Sequence, residues 1–92
     1  MKLSEIKGKP VAIKCTTKDE MSKVVDILHK NAAWAYKGSF YRLEAYDNGY
    51  IYIFINSSGS YTNYKGDNLN GVDLKILAVD FFKSNPEVNK TN

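Results

Sequence analysis

Tyr50-Ile-Tyr-Ile-Phe-Ile55 alternates aromatic and β-branched side chains over six residues, the period of a β-strand. Ile51, Ile53 and Ile55 form a stripe suited to a core, and Tyr50, Tyr52 and Phe54 form an aromatic stripe on the opposite face. Just upstream, Asp47-Asn-Gly49 signals a tight hairpin, because Asn-Gly accepts the positive φ angles such turns require. Phe40-Tyr-Arg-Leu-Glu-Ala-Tyr46 alternates enough to be the strand entering that hairpin. Downstream, Asn56-Ser-Ser-Gly-Ser60 is a second turn leading to a shorter, more polar strand, Tyr61-Thr-Asn-Tyr-Lys65. The centre of the chain therefore reads as a three-stranded antiparallel meander.

Working outward, Pro10 to Cys15 reads as a first strand, with Pro10 at its start, where a missing amide donor does no harm. Thr17, followed three residues later by Glu20, predicts an N-cap with a capping box and a helix starting near Lys18. Met21, Val24, Val25 and Leu28 recur at i, i+3, i+4 and i+7, one apolar stripe, and the helix is expected to end between His29 and Asn31. On the C-terminal side, Gly66 to Gly71 reads as an exposed loop and Val72 to Leu77 as a last extended piece. Ala78 to Ser84 is a short helix stopped before Pro86, and the chain frays from Asn85 onward. The expected fold is α+β: an antiparallel sheet of about four strands in the order β-α-β-β-β-(β)-α, with one long helix on one face. Residues 1–85 form a single domain and 86–92 a flexible tail. The isoleucine stripe finds its partner in the helix stripe, and Phe81 and Phe82 are expected to cover part of the aromatic face.

The chain has 92 residues, too few for two cores, and 43% hydrophobic content with 25% charged residues is ordinary for a globular domain. No apolar run approaches the ~20 residues that span a bilayer, so no membrane partner is expected. Met1 to Lys7 lacks the apolar segment of a signal peptide. A single cysteine, Cys15, rules out an internal disulfide, fits a reducing compartment and reads as a small buried hydrophobe at a strand end. The net charge of +3 arises from 13 basic and 10 acidic residues, scattered rather than clustered, and Arg42 is the only arginine. That disfavours recognition of a duplex groove and mimicry of DNA.

No catalytic signature emerges. Cys15, His29 and Asp26 supply the residue types for a thiol-imidazole pair but nothing that brings them together. One Cys and one His fall short of a metal-ligand set, and no cofactor is expected. The Ser57 to Ser60 turn and the Gly66 to Gly71 loop match no phosphate-binding fingerprint. What stands out is seven tyrosines and a tryptophan, concentrated between Trp34 and Tyr64. Such rings bury large area at low entropic cost, which favours them at contact surfaces. The candidate binding residues are Trp34, Lys37, Tyr41, Arg42, Tyr50, Tyr52, Phe54, Tyr61, Tyr64 and Lys65.

A strand, Thr17-x-x-Glu20 opening a helix, Trp34-x-x-x-Gly38, a meander and Asp80-Phe-Phe82 together resemble small single-domain proteins encoded by bacteriophages. The resemblance runs from Pro10 to Lys83, departing from it at Ala32-Ala33, where a glycine often precedes the tryptophan. It implies a non-enzymatic inhibitor in the host cytoplasm. Such a protein binds a host defence component, a CRISPR nuclease or a nucleotide-signalling system, by docking on it or capturing its nucleotide signal. The competing expectation is a single-stranded nucleic-acid binder, in which Tyr50, Tyr52 and Phe54 stack bases while Lys37, Arg42 and Lys65 meet phosphates. A homo-oligomer is a further way to cover the aromatic face.

Overall fold

The computed structural model describes residues 1–66, 72 and 74–85. It is an α+β fold: helix α1 (Leu3–Ile6), strand β1 (Val11–Lys14), helix α2 (Lys18–Asn31), strand β2 (Tyr36–Lys37), a 3-10 helix (Leu43–Asn48), strands β3 (Tyr52–Ile55), β4 (Ser60–Tyr64) and β5 (Leu74–Leu77), and helix α3 (Ala78–Ser84). The sheet has five strands in the order β2-β4-β3-β1-β5. It is mixed rather than antiparallel as expected: β3 runs antiparallel to β1 and β4, whereas β5 is parallel to β1 and β2 is parallel to β4. The parallel β2–β4 pair follows from α2, which carries the chain from β1 to the far edge before β2 forms.

Helix α2 starts where the cap predicts. Thr17 Oγ1 accepts from the Glu20 amide at 3.0 Å, and the Glu20 carboxylate reaches back one residue further than a capping box requires, accepting from the Thr16 amide at 2.8 Å. Its buried face is Met21, Val24, Ile27 and Leu28, with Val25 only half-buried. That face lies on Val11, Ile13, Ile53 and Ile55, none of which retains any exposure. Burying a side chain of this size contributes about 1.5–3 kcal/mol relative to leaving it in water, so the pairing of helix and isoleucine stripe dominates the core.

Further expectations are corrected. First, Phe40 to Tyr46 is not a strand. Leu43 and Tyr46, three residues apart, pack on the core from one side of a 3-10 turn, whose period is three. Gly49, with φ 90°, closes that turn instead of a hairpin: its amide donates to Tyr46 O at 3.1 Å and the Tyr50 amide to Ala45 O at 3.2 Å, the paired bonds of a Schellman cap. Asn-Gly at a hairpin and glycine at a helix end exploit the same positive φ, so the dipeptide alone does not distinguish them. Second, β3 begins at Tyr52, leaving Tyr50 and Ile51 outside it. Only the β3–β4 hairpin of the expected meander forms, turning at Gly59 with φ 99°.

Third, Phe81 does not cover the aromatic face. It is fully buried with α2 on the isoleucine face, and Phe82 packs against the same cluster. Asn85, expected to begin a frayed tail, is 5% exposed and bonds Met1 O, Leu3 N and Phe81 O. The loop expected between Gly66 and Gly71 lies, apart from Gly66, outside the described residues, as does the tail at 86–92. Among the described residues no helix is long and apolar enough to cross a membrane.

Candidate functional site: a groove at the β4 edge

Gly38 decides where the site opens. Its amide donates to Tyr61 O at 2.8 Å, and a Cβ there would meet both Tyr61 O and Ser60 Oγ at 2.8 Å, so only glycine lets β2 lie this close to β4. After Gly38 the chain turns away and runs through the 3-10 helix, held at a distance from β4. Its anchors are Asn63 Oδ1, which accepts from the Arg42 amide at 2.6 Å, and an ion pair of 2.8 Å between Lys18 and Asp47. Asn63 is 6% exposed and also directs Nδ2 to Met21 Sδ at 3.3 Å, so the core itself fixes the Arg42 segment.

The space left between the 3-10 segment and β4 is a groove of about 570 Å³, within the ~300–1,000 Å³ usual for binding clefts. Phe40, Tyr50 and Tyr64 are its aromatic walls, Thr62 and Asn63 line the strand side, and Arg42 stands at its rim. Phe40 is 78% exposed, so most of its ring faces water. Lys65 Nζ sits 4.9 Å from the Tyr50 ring centroid, placing a second cation beside the walls. Thr62 lines the same groove, its Oγ1 buried without a hydrogen-bond partner among the described residues. A buried hydroxyl left unpaired is uncommon.

The ten sequence-predicted contact residues separate by location. Arg42, Tyr50 and Tyr64 meet in the groove with Lys65 beside them. Tyr52 and Phe54 lie on the sheet face away from the helices, half-buried: the Phe54 ring packs against Tyr64 at 5.1 Å, and Gly66 presses on the Tyr52 ring. Tyr61 is 4% exposed and belongs to the core, in edge-to-face contact with Tyr41 at 5.7 Å; burial pushes both phenols above their ordinary pKa. Trp34 is half-buried against the core and Lys37 is exposed on β2. Phe40, Thr62 and Asn63 were missed. Phe40 was absorbed into the supposed strand, and Asn63 carries no signal in a polar strand until its partner Arg42 is in view.

Among the described residues, Cys15 and His29 lie toward opposite ends of α2: Cys15 precedes it and His29 lies near its far end, about 16 Å along the axis at ~1.5 Å per residue. Burial pushes the Cys15 thiol up from 9.0 to about 12, with the Glu20 carboxylate adding to the effect, so no thiolate forms near neutrality. Among the described residues no group of three His, Cys, Asp or Glu is placed to hold a metal ion. At the Asn56 to Ser60 turn, Asn56 Oδ1 takes the Ser58 and Ser60 amides at 3.0 Å, so those donors are spent internally rather than offered to phosphate. Comparison of the chain with protein-family models, curated proteins and solved structures returns no match.

Proposed function

We propose that this is a non-enzymatic binding protein that acts by docking on a partner through the groove between the 3-10 segment and β4. In this reading it is a phage-encoded inhibitor, working in the host cytoplasm on a component of host anti-phage defence. The observation that carries the binding reading is the convergence of Phe40, Tyr50 and Tyr64 with the cations Arg42 and Lys65 around one open groove. Aromatic rings with an arginine are the composition of contact hot spots, and exposing them has no return for folding. The phage setting is supported by the resemblance of the Thr17-x-x-Glu20, Trp34-x-x-x-Gly38 and Asp80-Phe-Phe82 pattern to small phage proteins.

A base-stacking platform of Tyr50, Tyr52 and Phe54 is less well supported, because Tyr50 has left the strand and the rings of Tyr52 and Phe54 are occupied by Gly66 and Tyr64. The test is phage plating on bacteria that carry either a CRISPR nuclease or a nucleotide-signalling defence and express this protein. Plating recovers in one of the two strains, and Tyr64→Ala together with Arg42→Glu abolishes the recovery. No recovery in either strain, or recovery untouched by the double substitution, sinks the reading.

A further inference from the structure

The groove is lined by three consecutive residues of one strand, Thr62, Asn63 and Tyr64. Successive side chains of a strand point to opposite faces, so all three reach one groove only if the groove runs along the strand's edge. The hydrogen-bond pattern specifies which main-chain groups lie there. Asn56 donates to Ser60 O at 3.0 Å, which makes Asn56–Ser60 a bonded pair with β3. By alternation Phe54–Thr62 and Tyr52–Tyr64 are bonded pairs too, whereas Tyr61 and Asn63 turn their amides and carbonyls outward. Tyr61 is met by β2 through Gly38. Beyond Gly38 no described strand continues, and β2 ends with Lys37 opposite Tyr61. The Asn63 amide and carbonyl therefore face the groove as an unfinished sheet edge.

We infer that an extended peptide segment with acidic side chains adds to the sheet at this edge, pairing with Asn63 in the line that β2 vacates; this rests on the groove being the contact surface. Strand addition takes its affinity from main-chain hydrogen bonds and its selectivity from alternate side chains. Here one set of side chains meets Phe40, Tyr50 and Tyr64. The cations Arg42 and Lys65, neither ion-paired among the described residues, and the +3 net charge select carboxylates. The same cations argue against a second copy pairing edge to edge, which would set Arg42 and Lys65 against their own counterparts.

The probes are short fluorescein-labelled peptides alternating Glu with Val, and versions with Lys or Ser in place of Glu. Fluorescence polarisation with the whole chain gives the Glu series at least about tenfold tighter binding than the Lys series, weakening as salt rises. Arg42→Glu, on an exposed side chain, removes that preference while its circular dichroism stays unchanged. N-methylation of alternate peptide amides on one edge abolishes binding and on the other edge is tolerated, and hydrogen exchange at the Asn63 amide slows in the complex. Equal binding of the two N-methylated series, or unchanged exchange at Asn63 under saturation, overturns strand addition. Preferential displacement by oligothymidylate overturns it in favour of single-stranded nucleic acid, and concentration-dependent dimers with Asn63 protected overturn it in favour of self-association. If no peptide binds while Arg42→Glu still abolishes plating recovery, strand addition fails and the inhibitor reading stands. If Arg42→Glu leaves recovery intact although peptides bind, the inhibitor reading fails instead.

Discussion

Asn85 and Cys15 show how much a single buried polar or titratable residue controls here. Asn85 accepts from the Leu3 amide at 3.1 Å and donates to Phe81 O at 2.8 Å and Met1 O at 3.1 Å, so one side chain joins α1 to the end of α3. Asn85→Ala removes all of these bonds and strands partly buried main-chain groups, for an expected loss of about 2–3 kcal/mol in urea unfolding. Asn85→Asp retains the bond from Leu3 but has no donor for the carbonyls and falls between the two. A loss under about 0.5 kcal/mol for the alanine variant would show the staple to be incidental. Cys15 contributes through its proton. Its thiol titrates near 12 in the fold against 9.0 ordinarily, so the stabilisation from keeping it neutral is complete below pH 9. It is lost as pH climbs toward 12, because the unfolded chain releases the proton first, at up to about 1.4 kcal/mol per pH unit. The stability gap between the wild type and Cys15→Ala should accordingly narrow between pH 9 and 11, and thiol reagents should react at neutral pH only on unfolding. A gap that stays constant refutes the shift.

Two glycines with nearly the same φ serve different elements, and they also mark where the sequence misleads. Gly59 has φ 99° and a Cβ there would collide with Trp34 O, whereas Gly49 has φ 90° with nothing nearer than Lys65 Cε at 4.0 Å. Gly59→Ala meets both strain and collision and should lose more than about 2 kcal/mol, while Gly49→Ala meets strain alone, about 1 kcal/mol. Equal losses in denaturant unfolding would mean that the Trp34 contact relaxes without cost. Local signals were legible wherever one residue type had one use: the Thr17 cap, the Met21–Leu28 stripe, the β3–β4 hairpin and α3 all follow from spacing. Asn48-Gly49 was not, because a helix cap and a hairpin call for the same glycine, and the Leu43–Tyr46 spacing suits an alternating strand poorly only once burial is known. Half of the candidate site was visible as exposed aromatic and basic residues. Phe40 and Asn63 were hidden because their role depends on β2 ending at Gly38, a tertiary fact with no local signature.

At the scale of the whole molecule, the sheet order places β1 and β3 inside and leaves β2, only two residues long, as one edge. A parallel strand on one side of β1 and an antiparallel strand on the other lock its register from both directions. Opening β1 requires dismantling the α2 and isoleucine core, whereas opening β2 and the 3-10 helix, which contains no fully buried residue, exposes far less apolar surface. Native-state hydrogen exchange should therefore rank the amides. Those of Ile13 and Phe54 exchange only through global unfolding, and those of residues 43–48 exchange through local opening at substantially lower free energy. Exchange of the 3-10 segment at the same free energy as β1 would contradict this ranking and would mean that the groove wall and the core unfold together. The expected order has a functional consequence, since the 3-10 wall at residues 43–48 can adjust to an incoming segment while β4, held by β3 and tied to Arg42 through Asn63, keeps the edge fixed. A bound peptide should in turn raise the protection of residues 43–48 toward that of β3, coupling the least stable part of the fold to its most stable part through the added strand.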